Sequence, residues 1–185
     1  MAPQNKKLIY LTGFMGSGKS TIAPILANTL GYSFIDIDNE IQKATGKRVT
    51  DFFSEFGEKR FREIERRLLD EASRSDECVV SLGGGTIADD SNLAVVRSSG
   101  ILVYLKAGVE HILLRLRNKT DRPLLKSIDG EKMNEEELHR RIVALLAIRE
   151  PYYNQADITI PTDEHSIGRT VDEIVRSIHI FTDAN

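Results

Sequence analysis

The chain has 185 residues, 41% of them apolar and 29% charged, which fits one domain with a sizeable core and excludes a disordered or low-complexity chain. A net charge of −3, from 25 basic and 28 acidic residues, gives no field that would gather nucleic acid or an anionic membrane. A single cysteine excludes an internal disulfide and fits a reducing compartment. With no apolar run near the ~20 residues of a membrane span and no secretion-signal pattern in MAPQNKK, the expectation is a cytosolic protein.

In chain order, short apolar β-rich runs fall at 8–11, 33–37, 78–82, 101–105 and 158–160. Helical patterns fall between and after them, at 20–30, 38–45, 58–73, 92–98, 109–117, 135–149 and 168–180. Continuous apolar strands alternating with helices predict an α/β fold: a three-layer αβα sandwich around a five-stranded parallel sheet, covered on both faces. Cys78, inside CVVSL, reads as a core thiol. Asn134 before three glutamates reads as an N-cap with a capping-box acid, and Gly31 as the glycine that ends the first helix. Thr50-Asp51 reads as the cap of a short helix into Phe52 and Phe53. Pro24 conflicts with the helix around it, because proline lacks the amide that an interior position donates. The polar stretch 118–132 is longer than most connections in a compact domain, a length at which loops act as lids.

The first strand leads into GFMGSGKS, Gly13 to Ser20, which matches GxxxxGK[ST] between a strand and a helix, the context that motif requires. Its glycines let backbone amides close around phosphate oxygens at the positive end of a helix. Gly16, Ser17, Gly18, Lys19, Ser20 and Thr21 are therefore the expected contacts to ATP, with Lys19 on the β- and γ-phosphates and the Ser20 hydroxyl on Mg²⁺. The motif identifies a nucleoside triphosphate site and leaves open a kinase, an NTPase switch or a binding module.

The acceptor would then sit at the carboxyl ends of the other strands, near the reversal of strand order. The second strand ends in FIDID, which as a strand puts Asp36 and Asp38 on one face. The third ends in Gly83-Gly84-Gly85, more glycine than a turn requires and suited to close approach by a ligand. The basic helix FGEKRFREIERRLL offers arginines to an anionic substrate, without position alone choosing one. Tyr152 and Tyr153 read as packing residues, the four histidines have no metal spacing, and 161–166 matches no sharp pattern.

GFMGSGKST, DID, FREIE, LGGGTI, DRPLL and REPYY, in that order, resemble shikimate kinase, a P-loop small-molecule kinase family related to the nucleoside monophosphate kinases. The resemblance implies a single kinase domain over 1–185, with a substrate-binding segment at roughly 37–65 and a lid at roughly 117–130. It implies ATP and Mg²⁺, phosphorylation of the shikimate 3-hydroxyl in aromatic amino acid biosynthesis, and a monomer. Carried over residue by residue, Asp36 helps hold Mg²⁺ through water and Asp38 meets the reacting hydroxyl. Arg62 and Arg149 bind the shikimate carboxylate, with Glu65 orienting Arg62, while Gly83, Gly84 and Gly85 line the acceptor. Arg115 stacks on adenine, and the lid arginine Arg122 approaches the transferred phosphate. Kinases for gluconate or a nucleoside monophosphate, and a nucleotide-binding module without turnover, are the rival readings.

Overall fold

A computed structural model describes residues 7–117 and 133–183, which leaves the 118–132 stretch, with Arg122 and almost all of the expected lid, outside the described residues. Five strands, β1 (Leu8–Thr12), β2 (Ser33–Asp36), β3 (Cys78–Ser81), β4 (Ile101–Lys106) and β5 (Ile158–Pro161), form one sheet in the order β2-β3-β1-β4-β5. Every pairing is parallel. The helices are α1 (Lys19–Leu30), α2 (Ile37–Thr45), α3 (Val49–Ala72), α4 (Asp90–Ser99), α5 (Val109–Leu116), α6 (Glu135–Tyr153) and α7 (Ile167–Asp183).

The sheet divides two cores, because successive side chains on a strand point to opposite faces. Leu8, Tyr10, Cys78, Val80, Leu102 and Tyr104 pack on one face with α2 to α6. Ile9, Leu11, Val79, Val103 and Leu105 pack on the other with α1 and α7. The central strands are apolar throughout for this reason: neither face meets water. Cys78 is fully buried in the larger core.

Several boundaries follow the sequence signals. Asn134 and Glu137 form the reciprocal capping box of α6, and Gly31 ends α1 at φ 71. Pro24 leaves α1 continuous. The carbonyl that it deprives of an intrahelical donor is that of Ser20, an exposed residue in the first turn.

Three boundaries differ. First, β2 stops at Asp36, whose carboxylate accepts from the Asn39 amide at 3.0 Å and caps α2, so Asp38 lies in a first helical turn rather than beside Asp36 on a strand face. Ile37, read as strand, is the fully buried first residue of α2. Second, α3 begins at Val49 and runs to Ala72 through a kink at Gly57 (φ 76, ψ 172). Thr50 and Asp51 fall inside its first turn, where Asp51 pairs with Arg48, and no side chain caps it. Third, α6 continues past Arg149, through Pro151, to Tyr153.

Candidate active site

The chain leaves β1 into the glycine loop at the centre of the sheet. Gly13 has φ 145, and a Cβ there would lie 2.6 Å from the Leu105 carbonyl oxygen and 2.8 Å from Ser17 Oγ, so only glycine fits. The Ser17 amide donates to Phe14 O at 3.1 Å, and the Thr21 and Ile22 amides donate to Gly18 O at 3.0 and 2.9 Å. That pattern starts α1 at Lys19, with its leading amides at the positive end of the helix dipole. Lys19 Nζ donates to Gly13 O at 2.6 Å and Phe14 O at 3.1 Å, which folds the ammonium over the loop. Ser20 and Thr21 are exposed in the first turn. Ser17 is fully buried, and its Oγ has no hydrogen-bond partner among the described residues.

A cavity of about 400 Å³ opens against this loop, lined by Gly16, Ser17, Gly18, Lys19, Ser20 and Thr21 and also by Asp36, Asp38 and Gly84. Arg115, Thr162 and His165 complete its nucleotide-sized wall. Arg115 donates to Gly16 O at 2.9 Å and to Thr162 O at 3.2 Å, tying α5 to the phosphate loop and to the β5–α7 connection. Asp163 receives the Gly108 amide at 2.6 Å and lies 3.9 Å from Arg115. His165, to which the sequence pattern assigned no chemistry, is thus part of the cavity wall.

The second cluster surrounds the glycine turn after β3. A Cβ on Gly85 would lie 2.9 Å from Arg62 Nη2 and 3.5 Å from Arg149 Nη2, so both guanidinium groups converge on one point above bare backbone. A Cβ on Gly84 would meet Arg149 Nη1 at 3.4 Å, Gly13 O at 3.5 Å and Met15 N at 3.7 Å. One on Gly83 would meet Asp38 Oδ1 at 3.1 Å and Glu65 Oε1 at 3.3 Å. The turn therefore touches the phosphate loop, Asp38 and both arginines, and it is glycine because side chains would occupy that shared space.

Arg62 comes from α3 and is held by Glu65 at 2.6 Å and Glu58 at 3.3 Å. Glu65 is 1% exposed and also accepts from Thr86 Oγ1 at 2.7 Å, so a buried carboxylate with two fixed donors orients the arginine. Desolvation works to lower the Arg62 pKa, yet Glu65 and Glu58 together raise it above the ordinary value. Arg149 comes from α6, is only 9% exposed, and lies over the Phe14 ring at 5.7 Å. Among the described residues no carboxylate pairs with it within 4 Å. As α6 continues to Tyr153, Arg149 is not a surface cation at the helix end. A buried cation without an anion is costly, and a ligand carboxylate beside Arg62 would offset that cost.

Tyr153 is the residue that sequence reading placed in the core and that the structure also brings to this cluster. Its hydroxyl donates to Gly84 O, and its ring packs on Tyr104 at 5.0 Å. The available signal was its spacing of four from Arg149, which shares a helical face only if the helix survives Pro151.

Against known proteins, the shikimate kinase family model matches residues 15–179. The chain is 50% identical over 175 residues to a shikimate kinase of Chlorobaculum parvum (strain DSM 263 / NCIMB 8327), covering 95% of this chain and 94% of that protein. The structure of shikimate kinase from Acinetobacter baumannii in complex with shikimate is similar at TM-score 0.84 and 34% identity, covering 96% of this chain and 95% of the other. That of shikimate kinase from Bacteroides thetaiotaomicron is similar at TM-score 0.85 and 32% identity, covering 93% and 98%.

Proposed function

The chain belongs to the shikimate kinase family and is an ATP-dependent kinase of the 3-hydroxyl of shikimate in aromatic amino acid biosynthesis; from that premise we propose how its residues divide the reaction. The amides of Gly16, Gly18, Lys19 and Ser20 cradle the phosphates, with Ser17 contributing from behind the loop and Thr21 from the exposed first turn of α1. Lys19 gives up its contacts to the Gly13 and Phe14 carbonyls for the β- and γ-phosphate oxygens. Arg115, already beside the phosphate loop, covers adenine, and Arg122 approaches the γ-phosphoryl group.

A hydroxyl at Ser20 and a carboxylate at Asp36, both on the cavity wall, are hard oxygen donors of the kind Mg²⁺ takes alongside substrate phosphates. One Asp36 oxygen serves the α2 cap, which suits an outer contact through water. When bound, Mg²⁺ supplies charge neutralisation across the β- and γ-phosphates.

Asp38 lines the nucleotide cavity and stands by Gly83, which puts it where acceptor and nucleotide meet. It orients the 3-hydroxyl and takes its proton as the hydroxyl oxygen bonds to the γ-phosphorus and the bond from that phosphorus to the β–γ bridging oxygen breaks, releasing ADP. The observation that carries the acceptor assignment is the pair of guanidinium groups over Gly85, one of them nine-tenths buried without a carboxylate partner among the described residues. Two planar donors suit a carboxylate, and Gly83, Gly84 and Gly85 leave room for the ring between that anchor and Asp38. The working unit is one domain, with α2 and the first part of α3 as the substrate-binding segment and the 117–130 stretch as the lid. We place it in the cytoplasm as a monomer; among the described residues no helix is long and apolar enough to cross a membrane.

The test is ADP release from ATP with shikimate, gluconate or a nucleoside monophosphate as acceptor. Shikimate alone raises release above the background without acceptor. A response to one of the others instead, or to none, overturns the assignment in favour of a different kinase or a binding module.

A further inference from the structure

We infer that Tyr153 is a positioning residue for the acceptor, acting by fixing the Gly84–Gly85 peptide. This rests on the placement of shikimate over the glycine turn proposed above. Three consecutive residues without Cβ atoms give a backbone many accessible orientations, so a site built on them needs restraints from elsewhere. The structure supplies one for each carbonyl. Gly83 O accepts from the Thr86 amide at 3.1 Å, and Gly85 O accepts from the Ala88 amide at 3.1 Å. Gly84 O, in the middle, accepts from the Tyr153 hydroxyl. The outer two restraints are local backbone bonds of the turn itself, whereas the middle one is delivered by a side chain 69 residues away in sequence.

A trans peptide is planar, with its N–H opposite its C=O. Holding the Gly84 carbonyl therefore also fixes the direction of the Gly85 amide, in the residue over which Arg62 and Arg149 converge. Tyr153 is suited to the task. It is fully buried, and its ring is wedged against Tyr104 with an interplanar angle of 33°. Burial pushes its phenol up to about 12 while the adjacent Arg149 guanidinium works in the opposite sense, so the hydroxyl stays protonated, and a donor, throughout the working range. One residue thus touches the turn and the buried arginine together.

Tyr153→Phe removes the hydroxyl and keeps the ring packing. The expected result in steady-state kinetics is a rise of about tenfold in the KM for shikimate, the scale of one lost buried hydrogen bond. The KM for ATP and kcat hold within about twofold, a window well below the tenfold scale of that lost bond. Tyr104→Phe, in the ring partner, serves as the packing control and leaves both KM values unchanged. A parallel rise of both KM values in Tyr153→Phe, or a rise in neither, overturns the positioning role. Arg62→Ala measured alongside separates the two levels of inference. If it leaves the shikimate KM unmoved, the acceptor placement falls and the role of Tyr153 with it; if it responds while Tyr153→Phe does not, only the role of Tyr153 falls.

Discussion

The two halves of the proposed active site are built on different principles. The phosphate-binding part of the nucleotide half is mostly backbone: a glycine loop, the first turn of α1 and one lysine, all within Gly13 to Thr21, with Arg115 joining it from α5. The acceptor half is mostly side chains, with Arg62 from α3 and Arg149 from α6 meeting over a turn after β3 that contributes no side chains of its own. Phosphate is a common ligand that amides and a helix end can hold in a contiguous motif. A specific ring acid needs a carboxylate clamp at one end and a hydroxyl contact at the other, and only tertiary folding brings those together.

That contrast sets the expected kinetics. Lys19→Met strikes the nucleotide half and the moving charge at once, so kcat falls by about 10³-fold, the scale of removing a preorganised charge contact; a main effect on the KM for shikimate instead would break the division. Asp38→Asn, at the junction, lowers kcat by about 10²-fold as expected for a lost general base. Nucleotide binding persists in that variant by titration calorimetry, and near-normal turnover would remove the proposed role. Arg62→Ala raises the KM for shikimate by up to about 10²-fold, because one of the two guanidinium groups over Gly85 is lost and Glu65 is left buried without its cation. ATP affinity is the internal control, and its collapse would show that the halves are not separate. The smallest effect is expected from Asp89→Ala, which deletes the carboxylate accepting from the Ser91 and Asn92 amides at the start of α4. Loss of this cap costs about 1 kcal/mol, seen as a Tm lowered by a few degrees. Both KM values should hold, so a kinetic change would extend the acceptor half into α4.

The same contrast explains what could be read in advance. The three central strands were legible because burial on both faces makes them almost continuously apolar, as in LIYLT and ILVYLK. The phosphate loop was legible because its spacing is local. FIDID was misread because Ile37 continues the apolar run of β2, and the sequence does not show that Asp36 turns its carboxylate to the Asn39 amide and begins a helix. The result keeps both aspartates on the cavity while giving them different mounts. Pro151 hid the last turn of α6 in the same way, since the residue before a proline is biased away from helix. Tyr153 on that turn was read as packing, which it also is; its bond to Gly84 O crosses from α6 to the β3–α4 turn and has no local signature. The convergence of Arg62 and Arg149 is likewise a product of the fold, as no spacing rule connects α3 with α6.

Gly84 carries a further consequence. The position its Cβ would occupy is 3.5 Å from Gly13 O of the phosphate loop and 3.4 Å from Arg149 Nη1 of the arginine cluster, so one residue abuts both the proposed nucleotide site and the proposed acceptor site. Their binding equilibria are then subject to linkage across that residue. By whatever factor bound nucleotide changes the affinity for acceptor, bound acceptor changes the affinity for nucleotide by the same factor, and displacement of this one glycine would register in both titrations at once.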